Sequence, residues 1–149
     1  MYRRILVPLE QQGGAETHVW HAASLASELG AEIILLRVVT VIPSDDYFLQ
    51  RIQVEKGSSG AQRKTEAEYY LNSLEAQLQD RGVSVETAVT ISDKGEGDAI
   101  VEYASRSNCD LIVLPNQDRP LVSRWLQGNV AAKVQRRSSM PILLVRGDD

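Results

Sequence analysis

The sequence predicts an α/β fold in which a doubly wound, five-stranded parallel sheet carries helices on both faces. Short runs rich in Val, Ile and Leu recur along the chain, and segments with helical periodicity separate them. The runs lie at 3–9, 32–39, 83–91, 110–114 and 141–145. Because parallel strands need long, right-handed crossovers, the helices between the runs are expected to cover both faces of one sheet.

Composition and charge limit the class of protein. The chain has 149 residues, 43% of them hydrophobic and 24% charged, which suits one globular domain spanning 1–149. Sixteen Lys and Arg against twenty Asp and Glu give a formal net charge of −4, without the basic excess of a dedicated nucleic-acid binder. The first apolar run, 5–9, is too short for a signal peptide or a membrane span. We therefore expect a cytoplasmic protein with neither a nucleic-acid nor a membrane partner.

The first half of the chain predicts a strand, a helix and a second strand. After the strand at 3–9, small and apolar residues recur with helical spacing over 16–29, and Gly30 ends that helix. The run at 32–39 is almost continuously apolar, which is typical of a central parallel strand. Periodicity is lost at about 43–61, where we expect a mobile excursion with a short helical turn.

The second half predicts the remaining elements. Helical stripes occur at 62–80, 99–107 and 129–138. The run at 83–91 alternates between apolar and polar residues, so this strand is expected near an edge of the sheet. The triplet Gly95-Glu96-Gly97 lacks the third glycine of a dinucleotide fingerprint and is interpreted as the turn that starts the third helix.

The predicted topology also places a ligand site. If the first three strands wind one way and the last two the other, the strand order is 3-2-1-4-5, and the winding reverses between the first and fourth strands. Ligands of such sheets lie outside the carboxyl ends of the strands at that reversal. The residues at this point are Leu9, Glu10, Leu114, Pro115 and Asn116.

Several short motifs occur in an order and at a spacing that are more specific than any one of them. They are ILVPLE at 5–10, ILLRVV at 34–39, GDAI at 97–100, CDLIVL at 109–114, LQGNV at 126–130 and MPILLV at 140–145. With them, essentially the whole chain resembles the single-domain type of the universal stress protein family. The resemblance implies an adenine-nucleotide alpha hydrolase-like fold. It also implies a homodimeric stress-response binding or signalling module that is not an efficient enzyme.

The loop after the fourth strand departs from the family pattern. In nucleotide-binding members this strand is followed by Gly, two residues, Gly, nine residues, Gly, and Ser or Thr, which lets backbone N–H groups approach phosphates. Here Pro115, Asp118 and Asn129 replace three of these four residues, and only Gly128 matches. Proline has no N–H, and a carboxylate about 4 Å from a phosphate repels it by roughly 1 to 4 kcal/mol. As an N-cap, Asn129 still leaves the N–H of Val130 available.

The resemblance also implies roles for residues at the adenosine end. Glu10 stands where many members have Asp, near the adenine and ribose, and Pro8 and Val38 match positions that line this end. Ordinary strand packing is the alternative for Pro8 and Val38. The candidate nucleotide-binding residues are Pro8, Glu10, Val38, Leu114, Pro115, Asp118, Gly128, Asn129 and Val130. No cofactor is firmly implied: ATP or another adenine nucleotide would bind weakly. The alternative function is an ATP-binding member with slow or no hydrolysis.

The remaining reactive side chains are interpreted as structural, and no catalytic or metal-binding residue is predicted. His18 and His21 lie three apart without a third ligand nearby, so we expect surface or partly packed histidines instead of a zinc site. Cys109 directly precedes the fourth strand and is expected to be a small buried residue, not a nucleophile.

The last strand and one aromatic residue indicate partners. An edge strand with four apolar residues in a row needs a pairing partner. Members of the family dimerise through this strand, so the resemblance implies a homodimer that pairs across a two-fold axis. The strand residues are Pro141, Ile142, Leu143, Leu144 and Val145. Trp125 either packs over a neighbouring helix or contacts an unknown protein partner.

Overall fold

Strands and helices alternate along the chain, as the sequence predicts. The computed structural model describes residues 2–10, 16–41, 60–116 and 130–146. Its elements are β1 (Arg4–Leu9), α1 (Thr17–Leu29), β2 (Glu32–Thr40), α2 (Gly60–Asp80), β3 (Ser84–Ser92), α3 (Glu96–Arg106), β4 (Leu111–Asn116), α4 (Val130–Arg137) and β5 (Ile142–Arg146). Most of the predicted excursion at 43–61, together with Trp125, lies outside the described residues, and Gly60 and Ala61 already belong to α2.

The strands form one parallel sheet in the order β3-β2-β1-β4-β5. The predicted doubly wound α/β fold is therefore confirmed, with the reversal of winding between β1 and β4. The alternating strand β3 lies at one edge of the sheet, and β5 lies at the other. β2 is a central strand with helices over both faces, so it has no solvent-facing side and is almost continuously apolar.

Two apolar clusters hold the helices to the sheet, because successive side chains of a strand point to opposite faces. On the face covered by α1 and α2, the buried strand residues are Ile5, Val7, Leu9, Ile33, Leu35, Leu111, Val113 and Val145. On the face covered by α3 and α4, they are Leu6, Ile34, Leu36, Val38, Ile112 and Leu114. Each fully buried Leu or Ile stabilises the fold by about 1.5 to 3 kcal/mol relative to an exposed one.

The turns at the helix ends follow from particular residues. Gly30 ends α1 in the left-handed conformation, with φ of 66°, which a residue without Cβ adopts at little cost. Gly95 precedes α3 in an extended conformation, so the predicted turn at Gly95-Glu96-Gly97 is confirmed as the start of that helix. Cys109 is buried, as expected. These turns return the chain to the sheet and leave the carboxyl ends of the strands on one side of it.

Candidate functional site

The hydrogen-bonded pairing of β1 with β4 ends before the carboxyl ends of the two strands. On one side, β1 pairs with β2 from Arg4 to Leu9. On the other side, the register with β4 contains two pairs, Ile5 with Leu111 and Leu6 with Ile112, although both strands continue well past them. We call the region between these two unpaired strand ends the crevice. It lies where the sequence predicts the ligand site.

The directions of the backbone groups in β1 account for one of the two donors that the ladder to β4 lacks. The carbonyl of Arg3 accepts a hydrogen bond from Glu32 N, next to β2, and the carbonyl of Arg4 accepts one from Asp110 N, next to β4, each at 2.9 Å. Backbone groups of successive strand residues point to opposite sides, so the even-numbered residues of β1 face β4. Pro8 is one of them, and it has no N–H to donate to β4.

The same argument applies to β4. Ile112 N donates to the carbonyl of Pro141 at 3.1 Å, so Ile112 faces β5 and the odd-numbered residues of β4 face β1. Asp110, which donates to Arg4, precedes the strand and does not follow its alternation. Past the pair of Leu6 and Ile112, the next two ladder bonds would be donated by residues 8 and 115. Both are prolines. Two consecutive donors are therefore missing, and the ladder between β1 and β4 stops there.

The carbonyl of Pro8, left without a donor from β4, accepts a hydrogen bond from His18 Nε2 at 2.9 Å. Because a carbonyl only accepts, Nε2 carries the hydrogen. His18 is 1% exposed, and within the described part of the chain its Nδ1 has no hydrogen-bond partner. Burial lowers the pKa of His18, against the opposing effects of the bond to Pro8 and of the nearby Glu16 and Glu10 carboxylates.

The expectation that His18 is a surface or partly packed side chain is wrong. It lies in the first turn of α1, on the same helical stripe as the buried Ala22 and Ala26 at spacings of four. This stripe was the signal in the sequence that a buried position was available. His21 is exposed, as expected. Among the described residues, no three His, Cys, Asp or Glu side chains are arranged to hold a metal ion.

The apolar part of the candidate site lies on the α3 and α4 face of the sheet. Val38 and Leu114 are 4% and 0% exposed, and the partly buried Val130 packs against the same cluster. Pro8 is buried in the neighbouring strand β1, between the two. The structure thus brings Pro8, Val38, Leu114 and Val130 to one side of the crevice, and their role toward a ligand stays a prediction.

Of the candidate residues near the polar end of the site, the described ranges contain Glu10 and Pro115. Glu10 follows β1 and is half-buried, close enough to His18 for its charge to raise the pKa of that imidazole. Pro115 is half-buried near the end of β4. Asp118, Gly128 and Asn129 lie outside the described residues.

The N-terminus of α4 is the part of this site that suits an anion. The helix begins at Val130 and has no acidic residue in its first turn, so no carboxylate of that turn offsets the positive partial charge of the first N–H groups. The first turn of α3, in contrast, contains Glu96 and Asp98. The first turn of α4 is therefore electrostatically better suited to an anion than that of α3.

Contacts with α3 fix the position of α4. A Cβ on Gly97 would lie 3.0 Å from Lys133 Cδ, so the glycine allows the two helices to approach closely. Asp98 Oδ2 lies 3.3 Å from Lys133 Nζ, and Asp98 Oδ1 lies 3.1 Å from Arg137 Nη1. The contact with Arg137 is an ion pair without hydrogen-bond geometry. These contacts hold α4 against α3.

A polar cluster that the sequence analysis missed lies on the opposite face of the sheet. The Tyr70 hydroxyl of α2 donates to the Glu16 carboxylate, and the Arg37 guanidinium lies 5.5 Å from the centre of the Tyr70 ring. Burial raises the pKa of Tyr70 and lowers that of Arg37. Arg37, the single charged residue inside the apolar run of β2, was the signal in the sequence. The cluster joins α1 and α2 behind the end of β1.

The model of the universal stress protein family matches residues 1–146. This chain belongs to the universal stress protein family. The chain is similar to universal stress protein MJ0577 of Methanocaldococcus jannaschii, at 25% identity over 98% of this chain and 96% of that protein. The MJ0577 structure superposes with a TM-score of 0.75 at 20% identity, covering 100% and 99% of the two chains. The family and the fold that the motifs imply are both confirmed.

Two further solved structures of the family have nucleotides in their names. A universal stress protein from Archaeoglobus fulgidus in complex with dAMP has a TM-score of 0.62 at 16% identity, over 96% of this chain and 97% of that one. A universal stress protein in complex with cAMP has a TM-score of 0.60 at 21% identity, over 99% and 98%. These likenesses show a common fold. None of the helices in the described ranges has the length and apolar character needed to cross a membrane.

Proposed function

We propose that this universal stress protein is a cytoplasmic binding and signalling module, not an efficient enzyme, and that its crevice holds an adenine nucleotide weakly. The observation that carries the proposal is that the pairing of β1 with β4 stops before the carboxyl end of the sheet, at the reversal of winding. The complexes of two family members with dAMP and cAMP support adenine nucleotides as the class of ligand.

The side chains at the crevice suit the adenosine part of such a ligand. Val38, Leu114 and Val130 supply an apolar wall next to the crevice. The Glu10 carboxylate follows β1 directly and would accept hydrogen bonds from ribose hydroxyls. A hydrogen bond to a charged group contributes about 1.5 to 3 kcal/mol. Recognition of the nucleoside therefore does not need the glycine pattern of the loop.

The phosphate end is the weak part of the proposed site. The first N–H groups of α4 favour an anion, but Pro115 has no N–H to add, and Asp118 introduces a negative charge three residues later in the sequence. Repulsion grows with the charge of the ligand, so a triphosphate loses more affinity than a monophosphate. The preferred ligand is accordingly of the AMP type.

Calorimetric titration with AMP and with ATP tests the proposal. We expect a Kd for AMP on the order of 10⁻⁴ M and a weaker one for ATP. The variant E10Q should weaken AMP binding by roughly fivefold to tenfold, because a neutral amide oxygen is a poorer acceptor than a carboxylate. The exposed Glu28 of α1 gives the control E28Q, which should bind AMP like the wild type.

The outcomes separate the candidate functions. A low-micromolar Kd for ATP would make the alternative correct: an ATP-binding member with slow or no hydrolysis. Absence of binding by both nucleotides at millimolar concentration would overturn the proposal. Phosphate release from ATP faster than in the buffer, and abolished by E10Q, would contradict the claim that the protein is not an enzyme.

We also propose that the protein is a homodimer that pairs through the edge strand β5. Leu144 is 37% exposed at this edge, and Ile142 and Leu143 are half-buried. Ile91 of β3, at the opposite edge, is 48% exposed and provides a matched control. In sedimentation velocity runs, L144K should convert dimers to monomers and I91K should leave them intact. A monomeric wild type, or a dimeric L144K, would refute this assembly.

A further inference from the structure

The Pro8 carbonyl occupies an unusual position for a buried acceptor. It points across the crevice toward β4, where residue 115 would be its donor if the ladder continued. That residue is a proline and has no N–H. The donor that the structure does provide is a side chain from α1, His18 Nε2, at 2.9 Å.

We propose that His18 is a positioning residue of the crevice. Its imidazole gives the Pro8 carbonyl the hydrogen bond that Pro115 has no N–H to donate. It thereby fixes the end of β1, and with it Glu10, which follows the strand directly. The structural role of His18 follows from its bond to the Pro8 carbonyl and from the backbone directions of β1 and β4. Its consequence for a nucleotide rests on the proposed function.

The surroundings of His18 indicate that its imidazole does more than fill space in the core. The ring is 1% exposed on the stripe of α1 that faces the sheet, where Val19, Ala22 and Ala26 are apolar. An apolar side chain of similar size would fill this space without a buried polar atom, whereas His18 keeps Nδ1 without a hydrogen-bond partner among the described residues. The bond from Nε2 to Pro8 is what offsets that cost.

Two amide variants of different reach test the bond. The Gln amide nitrogen comes close to the position of the imidazole Nε2, whereas the Asn amide nitrogen comes only as far as Nδ1. We expect H18Q to fold nearly as well as the wild type. We expect H18N to lower the folded-to-unfolded ratio, measured in urea, by roughly tenfold or more, because a buried carbonyl is left without a donor. Equal losses in H18Q and H18N would overturn the proposal.

A double-mutant cycle with P115G tests whether His18 replaces the missing N–H. In the P115G background residue 115 regains a donor that faces Pro8, so H18N should now cost less than about threefold in the folded-to-unfolded ratio. If H18N does not fold by itself, recovery of folding in H18N/P115G gives the same result. Failure of H18N/P115G to fold, or an unchanged cost of H18N in both backgrounds, would refute the substitution of one donor for the other.

AMP titration separates positioning from stability. V19A removes buried contacts from the same turn of α1 without touching the Pro8 bond, so it should lower stability and keep the AMP affinity of the wild type. H18N should weaken AMP binding by roughly tenfold under conditions where it is fully folded, and H18Q should not. An equal loss of affinity in V19A and H18N would show a purely structural role and overturn the proposal.

Hydrogen exchange makes the inference independent of the ligand. H18N should speed exchange of the Leu9 and Glu10 amides by roughly tenfold relative to V19A. If the wild type binds no AMP, the proposed function fails, yet faster exchange at these two amides in H18N, and not in H18Q, still establishes the positioning role. Unchanged exchange in H18N refutes it, whatever the nucleotide result.

Discussion

The two sides of β1 differ although they belong to one strand. Toward β2, every residue from Arg4 to Leu9 has a partner in the register. Toward β4, the register contains Ile5 and Leu6. The first side joins the strand to the sheet along its whole length, and the second lacks pairing at the carboxyl end, where we propose that a ligand binds. The paired side and the proposed binding side are thus opposite sides of the same strand.

The direction of a proline decides which side opens. A proline in a central strand normally removes a ladder bond and is excluded from such a position. Pro8 and Pro115 are tolerated because their nitrogens face the crevice, where no ladder bond is formed, and because His18 satisfies the Pro8 carbonyl. A proline that faced β2 would have no such compensation.

The largest effect is therefore expected from a proline on the paired side. Glu32 N donates to the Arg3 carbonyl, so the even-numbered residues of β2 face β1, and Leu36 is one of them. The variant L36P would remove a ladder bond and a fully buried side chain. We expect the free energy of unfolding, measured in urea, to fall by about 4 kcal/mol or more.

The control for this substitution keeps the volume and the N–H. L36M should lower the free energy of unfolding by less than about 1.5 kcal/mol. If L36P lost no more than L36M, the ladder between β1 and β2 would not be the stabilising side, and the contrast between the two sides of β1 would disappear.

A smaller, pH-dependent effect on the free energy of unfolding is expected from His18, which bonds to the unpaired end of β1. Burial lowers the pKa of His18, so near the unfolded pKa of about 6.5 the unfolded chain binds more protons than the folded one. Stability from this group is complete above that pH and decreases as the pH falls toward the folded pKa. The free energy of unfolding of the wild type, relative to that of H18Q, should therefore rise from pH 5.5 to 7.5, by at most about 1.4 kcal/mol per pH unit.

The second histidine of α1 provides the control. His21 is exposed, so H21Q should retain the pH profile of the wild type in the same urea titrations. Parallel profiles of the wild type and H18Q would contradict the assignment of this pH dependence to the buried imidazole.

The sequence was sufficient for the order of the strands and for the position of the crevice. Apolar runs separated by helical stripes permit few topologies, and the reversal of a doubly wound sheet follows from them. The direction of backbone groups was not accessible, because it depends on the register between strands that are far apart in sequence. The sequence identified Pro8 and Pro115 as candidate site residues, but it did not show that the nitrogen of each proline faces the strand of the other.

Contacts over long sequence separations account for the rest of what was missed. The bond between Tyr70 and Glu16 joins residues 54 positions apart, and no local pattern predicts such a pair. His18 was partly accessible, since the helical stripe that contains Ala22 also contains it. The roles of Asp118, Gly128 and Asn129 in the loop remain predictions from the family pattern.

The smallest effect is expected from the ion pairs that hold α4 beside the open side. Asp98 faces Lys133 and Arg137, and these side chains are 25%, 34% and 60% exposed. Half-exposed pairs contribute about 0.2 to 1 kcal/mol each, and salt screens them. D98N should therefore lower the free energy of unfolding by less than about 1.5 kcal/mol, with the loss shrinking in 1 M salt.

The control for D98N lies one turn further along α3. Glu102 pairs with Lys94 and Arg106 and does not bridge to α4 in either pair, so E102Q should leave hydrogen exchange at the start of α4 unchanged, whereas D98N should speed it. The comparison with His18 is the sharper result. If D98N disturbed the Leu9 and Glu10 amides as much as H18N does, the position of α4, and not the bond to Pro8, would set the opening of the crevice.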